Sequence, residues 1–150
     1  MSRSPIRAFG DDRDRMGIVK RGLKLFEFFG EGNSVNHNTR PWGSYEILHK
    51  GPNYQVKRIE VSPQLRFSLQ KHMKRAEKWI VISGTGVATV GKKEIPVKRG
   101  SVAEIAIEEV HRMHNTGNEA LVFIEVQFGE YLGEDDIIRL EDDFNRAKNH

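Results

Sequence analysis

The feature that most constrains the fold is a series of short apolar segments, separated at close intervals by residues that favour turns. Eight such segments lie between residues 44 and 128, and Gly, Pro, Asn or Ser residues separate most of them. Eight short strands within about 90 residues predict an all-β sandwich or barrel. The predicted strands are residues 44–49, 54–61, 66–71, 78–83, 86–90, 93–97, 101–105 and 121–128.

The two ends of the chain lack this rhythm. Residues 1–17 are charged and aperiodic, so we predict a mobile arm there. Residues 18–29 carry apolar side chains at spacings that fit a helix and a strand equally well, and we expect them to pack on the β domain or on a second subunit. We therefore divide the chain into an N-terminal arm and packing segment, residues 1–36, and a main domain, residues 37–150.

Residues 134–147 begin with acids, end with basic residues and have apolar side chains at helical spacing, which predicts a short C-terminal helix.

Composition excludes several classes of protein. The chain has no cysteine, which rules out disulfides, thiolate metal sites and cysteine nucleophiles and favours a cytosolic location. Its 24 Lys and Arg nearly balance its 21 Asp and Glu, and no basic segment interleaved with aromatic residues indicates nucleic-acid binding. No apolar run approaches the roughly 20 residues that a membrane-spanning helix requires. The slight basic excess favours small anionic ligands.

The densest group of polar side chains lies between residues 68 and 79. On a strand, Gln70, His72 and Lys74 would share one face, because alternate side chains point the same way. If the chain turns at Arg75 and Ala76, Glu77 can join them from the next strand. A divalent ion accepts such a set of nitrogen and oxygen ligands.

Two further groups of residues could contribute to this site. His111 or His114, which precede the last long strand, could supply another ligand, and we favour His111. An isolated histidine is more often a surface or core residue than a ligand, so the convergence of several polar groups carries this prediction. Lys57 and Arg58 point to opposite faces of a strand, so we expect one of them to face the cavity, where it would bind a phosphate.

Four separated segments, in the same order, resemble the cupin (isomerase) domain of the mannose-6-phosphate isomerase / mannose-1-phosphate guanylyltransferase family, the type II phosphomannose isomerases. The segments are RPWGSYE at residues 40–46, VKRI at 56–59, the polar group with its following strand at 68–85, and IEVQFGEYLGEDDIIR at 124–139. The resemblance spans about residues 38 to 146, and several motifs in one order make it specific.

The resemblance implies a cupin double-stranded β-helix, or jelly-roll, barrel with a site inside one mouth. It also implies a divalent metal ion, zinc or a similar ion, and the interconversion of mannose 6-phosphate and fructose 6-phosphate. By resemblance, Gln70, His72, Glu77 and His111 occupy metal-binding positions, and Arg75 occupies the position of the arginine associated with isomerase activity.

The chain departs from the family pattern where Lys74 and Lys78 replace histidines. A cation beside a metal is unfavourable, because two unit charges about 4 Å apart repel by about 4 kcal/mol at an effective dielectric constant of about 20. Lys74 is therefore neutral or turns away, or the metal is weakly bound or absent; alternatively, Lys74 contacts the substrate itself and is catalytic together with Arg75. We expect Lys57, Arg58 and Lys78 to bind the substrate.

Two functions remain at this point. The first is a metal-assisted sugar-phosphate isomerase, and the second is a non-catalytic cupin that binds a phosphorylated sugar or a sugar nucleotide. Nucleotidyl transfer is not expected, because the Gly-rich residues 84–86 lie between two predicted strands and not before a helix. An iron-dependent oxygenase is disfavoured, because the first motif keeps only one imidazole. The expected partners are a phosphorylated sugar and a second copy of the chain in a homodimer, with no nucleic acid and no membrane.

Overall fold

The computed structural model describes residues 36–146, and these form eleven strands and no helix. The predictions for residues 1–17 and 18–29, including their packing and the homodimer contact, lie outside the described residues. The strands are β1 (Asn36–Arg40), β2 (Gly43–Lys50), β3 (Tyr54–Val61), β4 (Leu69–Lys71), β5 (Arg75–Ser83), β6 (Gly86–Val90), β7 (Lys93–Val97), β8 (Val102–Ile105), β9 (His111–Asn115), β10 (Leu121–Gly129) and β11 (Ile138–Glu141).

The strands form two sheets in which all pairings are antiparallel. A six-stranded sheet has the order β1-β2-β3-β10-β5-β8, and a five-stranded sheet has the order β11-β4-β9-β6-β7. The predicted all-β fold is confirmed. Within the described residues, no helix has the length and apolar character needed to cross a membrane.

Alternation of side chains explains how these strands enclose a core. In β3 and β6 every second residue is buried, as expected for strands with one face against a core. The buried apolar side chains come from both sheets and include Ile59, Trp79, Ala88, Met113 and Phe123. Burying a large apolar side chain stabilises the fold by roughly 1.5–3 kcal/mol, so this shared core holds the two sheets together.

One glycine controls how closely β10 approaches the beginning of β5. Gly129 pairs with Arg75, and a Cβ atom at Gly129 would lie 2.3 Å from the backbone oxygen of Lys74. No side chain fits at that distance, so the close approach requires glycine. This contact fixes the position of Arg75, whose side chain points into the barrel.

The predicted C-terminal helix is wrong for the described part of residues 134–147, because residues 138–141 form β11, which pairs with β4. Arg139 lies opposite Gln70 in this ladder, and the side chain of Leu140, part of the supposed helical stripe, is half exposed. The segment is anchored by Asp136, whose carboxylate accepts hydrogen bonds from the backbone N–H groups of Met73 and Lys74, both at 3.0 Å. Tertiary pairing thus overrides a local helical pattern.

We predict that Asp136→Ala destabilises the fold by about 2 kcal/mol, because two backbone N–H groups lose their acceptor. Urea unfolding followed by circular dichroism would measure the loss. Asp135→Ala is the matched control, since this exposed neighbour bonds only to the hydroxyl of Tyr131 and should change stability by less than about 0.5 kcal/mol. Equal losses for the two variants would contradict the anchoring role of Asp136.

Candidate metal centre

A buried carboxylate, that of Glu77 on β5, lies at the centre of the candidate site. The side chain is 2% exposed. Its Oε1 atom is 3.2 Å from Nε2 of His72, and its Oε2 atom is 3.7 Å from Nε2 of His111. One ligand atom from each of these three residues lies within 4.8 Å of the others. The structure therefore brings together three of the four residues predicted as metal ligands, in one buried cluster.

The backbone orients both imidazoles towards Glu77. Nδ1 of His72 bonds to the carbonyl oxygen of Asp136, and Nδ1 of His111 bonds to the carbonyl oxygen of Glu109 at 2.8 Å. A carbonyl only accepts, so Nδ1 donates its proton in both rings, and Nε2 is the ring nitrogen that faces Glu77. This is the usual arrangement of metal-binding histidines, whose second nitrogen donates to a backbone or carboxylate oxygen.

The Nε2 atom of His111 has an unmet bonding capacity. It is buried and has no hydrogen-bond partner among the described residues. Burial lowers the pKa of His111, although the charge of Glu77 opposes this effect, so the ring is held in its neutral form. This unpartnered nitrogen faces the carboxylate of Glu77, and a divalent cation between the two would bind both. Two imidazole nitrogens and one carboxylate oxygen are typical ligands of zinc and related ions.

Glu77 is ionised in spite of its burial. Burial alone would raise the pKa of Glu77, but its hydrogen bond with His72 and the positive charge of Arg75 hold it well below its usual range. The Arg75 guanidinium donates to Oε1 of Glu77 at 3.3 Å, to Nε2 of His72 at 3.2 Å and to the carbonyl oxygen of Gly133 at 2.9 Å. Arg75, predicted as catalytic, thus lies beside the three potential ligands.

The fourth predicted ligand, Gln70, lines the same cavity. It lies on β4 directly opposite His111 on β9, and its Oε1 atom accepts a hydrogen bond from the hydroxyl of Ser68 at 2.8 Å. Its role as a ligand stays a prediction. His114, the alternative to His111, is on the other face of β9 and is not part of the cluster.

The predicted substrate-binding cations separate into one that enters the cavity and two that do not. Lys57 is buried, and its Nζ atom is 2.5 Å from a carboxylate oxygen of Glu134. Arg58 points to the outer face of β3, where it pairs with Glu60 at 3.0 Å. Lys78 pairs with Glu104 at 3.0 Å and is half exposed. Only Lys57 among these residues is placed to contact a bound ligand.

Lys74, predicted as catalytic, also points away from the cluster. It is exposed, and its Nζ atom lies 4.6 Å from the centre of the Tyr131 ring. The structure therefore agrees with the alternative in which Lys74 turns away from the metal ligands. The repulsion between Lys74 and a bound cation is therefore avoided.

A second buried carboxyl group, Glu125 on β10, was missed in the sequence. Trp79 Nε1 donates to Glu77 and to Glu125, at 3.1 Å each, and Gln127 Nε2 donates to both at 3.3 and 2.7 Å. Burial raises the pKa of Glu125 to about 8, and the charge of Glu77 adds to this effect, whereas Lys57 and Arg75 oppose it. At neutral pH the site thus combines an ionised carboxylate with a protonated one, a pair suited to proton transfer.

The strand pattern contained a signal for Glu125. Leu121, Phe123, Glu125 and Gln127 alternate along β10 and are all buried. Polar residues on the same face of a strand as core residues indicate interior positions that are hydrogen-bonded or functional.

These side chains surround a cavity with a volume of about 70 Å³. Its lining combines aromatic, acidic and basic groups: Arg40, Trp42, Tyr45, Lys57, Ile59, Phe67, Ser68, Gln70, His72, Arg75, Glu77, Glu125, Gln127, Glu134, Ile137, Arg139 and Arg146.

Comparison with known proteins identifies the family. The family model described as "Mannose-6-phosphate isomerase C-terminal" matches residues 31–142. The chain belongs to this family. This confirms the resemblance found in the sequence. The chain is 46% identical over 137 residues to the alginate biosynthesis protein AlgA of Pseudomonas aeruginosa, and 40% identical over 135 residues to a mannose-1-phosphate guanylyltransferase of Salmonella muenchen.

The chain spans only 28% of the length of each of these relatives, whereas the matches cover 90% and 87% of the chain. The xanthan biosynthesis protein XanB of Xanthomonas campestris shows the same relation, with 42% identity over 90% of the chain and 29% of the relative. This member of the family therefore corresponds to one domain of proteins that are more than three times as long.

Solved structures confirm the cupin double-stranded β-helix fold. The capsular polysaccharide assembling protein CapF of Staphylococcus aureus has a TM-score of 0.66 at 24% identity, over 73% of this chain and 35% of that protein. An oxalate decarboxylase of Lactobacillus farciminis has a TM-score of 0.63 at 21% identity, over 72% of this chain and 34% of that protein. At such identities the likeness concerns the fold alone.

The comparisons overturn the function predicted from the sequence. That prediction was an isomerase of mannose 6-phosphate and fructose 6-phosphate, with a non-catalytic sugar-phosphate or sugar-nucleotide binder as its alternative. The relatives are instead named for alginate biosynthesis, xanthan biosynthesis and mannose-1-phosphate guanylyl transfer, and the chain matches only one domain of them. What is supported is the coarser statement that the relatives include enzymes of mannose-phosphate metabolism.

We predict that the free energy of unfolding of the metal-free protein falls as the pH rises from about 7 to about 8, a range above the one in which the lowered pKa of His111 has the opposite effect. The folded-state pKa of Glu125 is raised from 4.5 to about 8, so in this range the folded state keeps a proton that the unfolded state has lost. Glu125→Gln, which resembles the protonated form, should flatten this slope in chelator-treated protein, as measured by urea unfolding at several pH values.

The exposed Glu104 on β8 provides the control for this measurement. Glu104→Gln should leave the slope unchanged, because its side chain is 69% exposed. An identical slope in the wild type and in the Glu125→Gln protein would show that Glu125 titrates normally.

Proposed function

We propose that this chain is a metal-dependent catalytic cupin domain of mannose-phosphate metabolism, and that it carries out acid–base chemistry on a phosphorylated sugar. The observation that carries the proposal is the buried cluster of Glu77, His72 and His111, in which two oriented imidazoles and one ionised carboxylate converge. Family membership supports the metabolic context.

His72, His111 and Glu77 would hold the metal ion, and we propose as the fourth ligand Gln70, which pairs with His111 across neighbouring strands. A divalent ion bound there supplies Lewis acidity that polarises a sugar oxygen. Arg75 fixes the cluster through its hydrogen bonds to Glu77 and His72, and its positive charge offsets the carboxylate. It therefore acts as a positioning residue in the arrangement described.

Two further groups of the chain bring proton-transfer and binding capacity. Glu125 holds a proton near neutral pH and shares two hydrogen-bond donors, Trp79 and Gln127, with Glu77. A carboxyl group with a pKa of about 8 is well matched to general acid or base work at cellular pH. Lys57 adds a buried ammonium group to the same cavity, where it can attract an anionic ligand.

We predict that the purified protein contains about one divalent metal ion per chain, and that His72→Ala and His111→Ala each remove it. Inductively coupled plasma mass spectrometry after dialysis would give the metal content. His114→Ala is the matched control, because His114 lies three residues along the same strand on the other face. If His72→Ala and His111→Ala keep a full equivalent of metal while folded, the cluster is not the metal site.

We also predict turnover of at least one phosphorylated hexose by the metal-loaded protein. Incubation in D2O with a panel of hexose monophosphates, followed by ¹H and ³¹P NMR, detects a change of any kind, including exchange of carbon-bound hydrogen. Glu77→Gln should abolish the reaction, because the amide lacks the negative charge that the carboxylate offers a divalent ion. Glu104→Gln should retain it. Metal-loaded wild type that leaves every member of the panel unchanged would refute the catalytic proposal.

A further inference from the structure

Three arginines line the cavity together with His72 and Glu77 of the metal cluster, but they come from other parts of the chain. Arg40 ends β1, Arg139 lies on β11 and Arg146 follows β11. All three are partly exposed, whereas Glu77 is fully buried. They therefore mark the open end of the cavity, and the metal cluster marks its buried end.

Two of these guanidinium groups have no carboxylate partner among residues 36–146. Arg40 donates only to the carbonyl oxygen of Thr39 at 2.9 Å and to the hydroxyl of Tyr45 at 3.1 Å. The Nε atom of Arg139 is buried and has no hydrogen-bond partner at all in the described part of the chain. A buried guanidinium N–H without an acceptor is costly, and an anionic ligand would remove that cost.

The third arginine is held in place by its neighbours. Arg146 forms a bidentate salt bridge with Asp142, from Nη2 to Oδ1 at 2.6 Å and from Nε to Oδ2 at 3.0 Å. Its guanidinium lies 5.3 Å from the centre of the Phe144 ring. Burial lowers the pKa of Arg139, and the positive charges of Arg146 and Arg40 add to this effect, whereas Asp142 and Glu134 oppose it. Like charges are thus gathered at this end of the cavity.

The carboxyl groups that line the cavity do not neutralise these arginines. The lining holds the five cations Arg40, Lys57, Arg75, Arg139 and Arg146, and the three acids Glu77, Glu125 and Glu134. Glu134 is paired with Lys57, and Glu77 contacts Arg75. Arg146 is paired with Asp142, so the uncompensated positive charge at the open end comes from Arg40 and Arg139 in the part of the chain that the structure describes.

We propose that Arg40, Arg139 and Arg146 form a subsite for the dianion of a phosphate monoester. Guanidinium groups match phosphate oxygens through paired N–H donors, and the unpartnered Nε of Arg139 supplies one such donor. The ligand would place its phosphate at the open end and its sugar towards Glu77. This assignment rests on the proposed function for the identity of the sugar, but phosphate binding by the arginines can be measured without it.

Binding of inorganic phosphate and of mannose 6-phosphate to the full chain, by isothermal titration calorimetry, tests the subsite. Arg139→Gln and Arg40→Gln should each weaken both ligands by at least about tenfold, as expected for the loss of a charge-assisted hydrogen bond. The matched control is Arg58→Gln, whose side chain lies on the outer face of β3 and should have no effect. Arg40→Gln, at the end of an edge strand, keeps the test valid if Arg139→Gln does not fold.

The outcomes separate this subsite from the proposed function. Loss of phosphate affinity in both variants, with unchanged metal content, supports the subsite even if no sugar is turned over. Phosphate and mannose 6-phosphate affinities within twofold of the wild type in folded Arg139→Gln and Arg40→Gln proteins would overturn it, whatever the metal cluster does. Affinity for unphosphorylated mannose should be the same in all variants, and an equal loss for mannose would also overturn it.

Discussion

The ionised carboxylate of Glu77 inside the barrel is the constraint on which the rest of the site depends. Burying a charge is costly unless it is paired and hydrogen-bonded, and Glu77 receives hydrogen bonds from Arg75, Trp79 and Gln127. Removing one partner would leave an uncompensated charge in the core. The surrounding polar residues are therefore needed for stability as well as for chemistry, and a metal ion would compensate the same charge.

The C-terminal segment completes this arrangement, although it lies far from Glu77 in sequence. Gly133 accepts from Arg75, Glu134 pairs with Lys57, and the carbonyl oxygen of Asp136 orients His72. The ladder between β11 and β4 holds the segment in place. Since this segment also provides Arg139 and Arg146, one stretch of chain connects the buried cluster with the basic open end.

Much of the fold could be predicted from the sequence, because strands with one buried face show a period of two. Predicted strands 54–61, 86–90 and 93–97 agree with β3, β6 and β7. β1 and β9 were not predicted, because both are polar and have little apolar alternation. β11 was not predicted, because the apolar residues around it have the spacing of a helix. Each of these three strands is held by pairing with partners that are distant in sequence or, for β1, by a hairpin with β2.

The site was predictable only where residue type and spacing identified it. His72, Glu77 and His111 have the ligand types of a metal site, but nothing local showed that Lys74 would turn towards Tyr131 or that Glu125 would share donors with Glu77. Those facts depend on how β5 and β10 pair. The three-residue cluster lies wholly on β5, β9 and the segment before β5, so a domain that is 28% as long as its relatives still contains the complete cluster. All three candidate ligands are therefore contributed by the barrel itself.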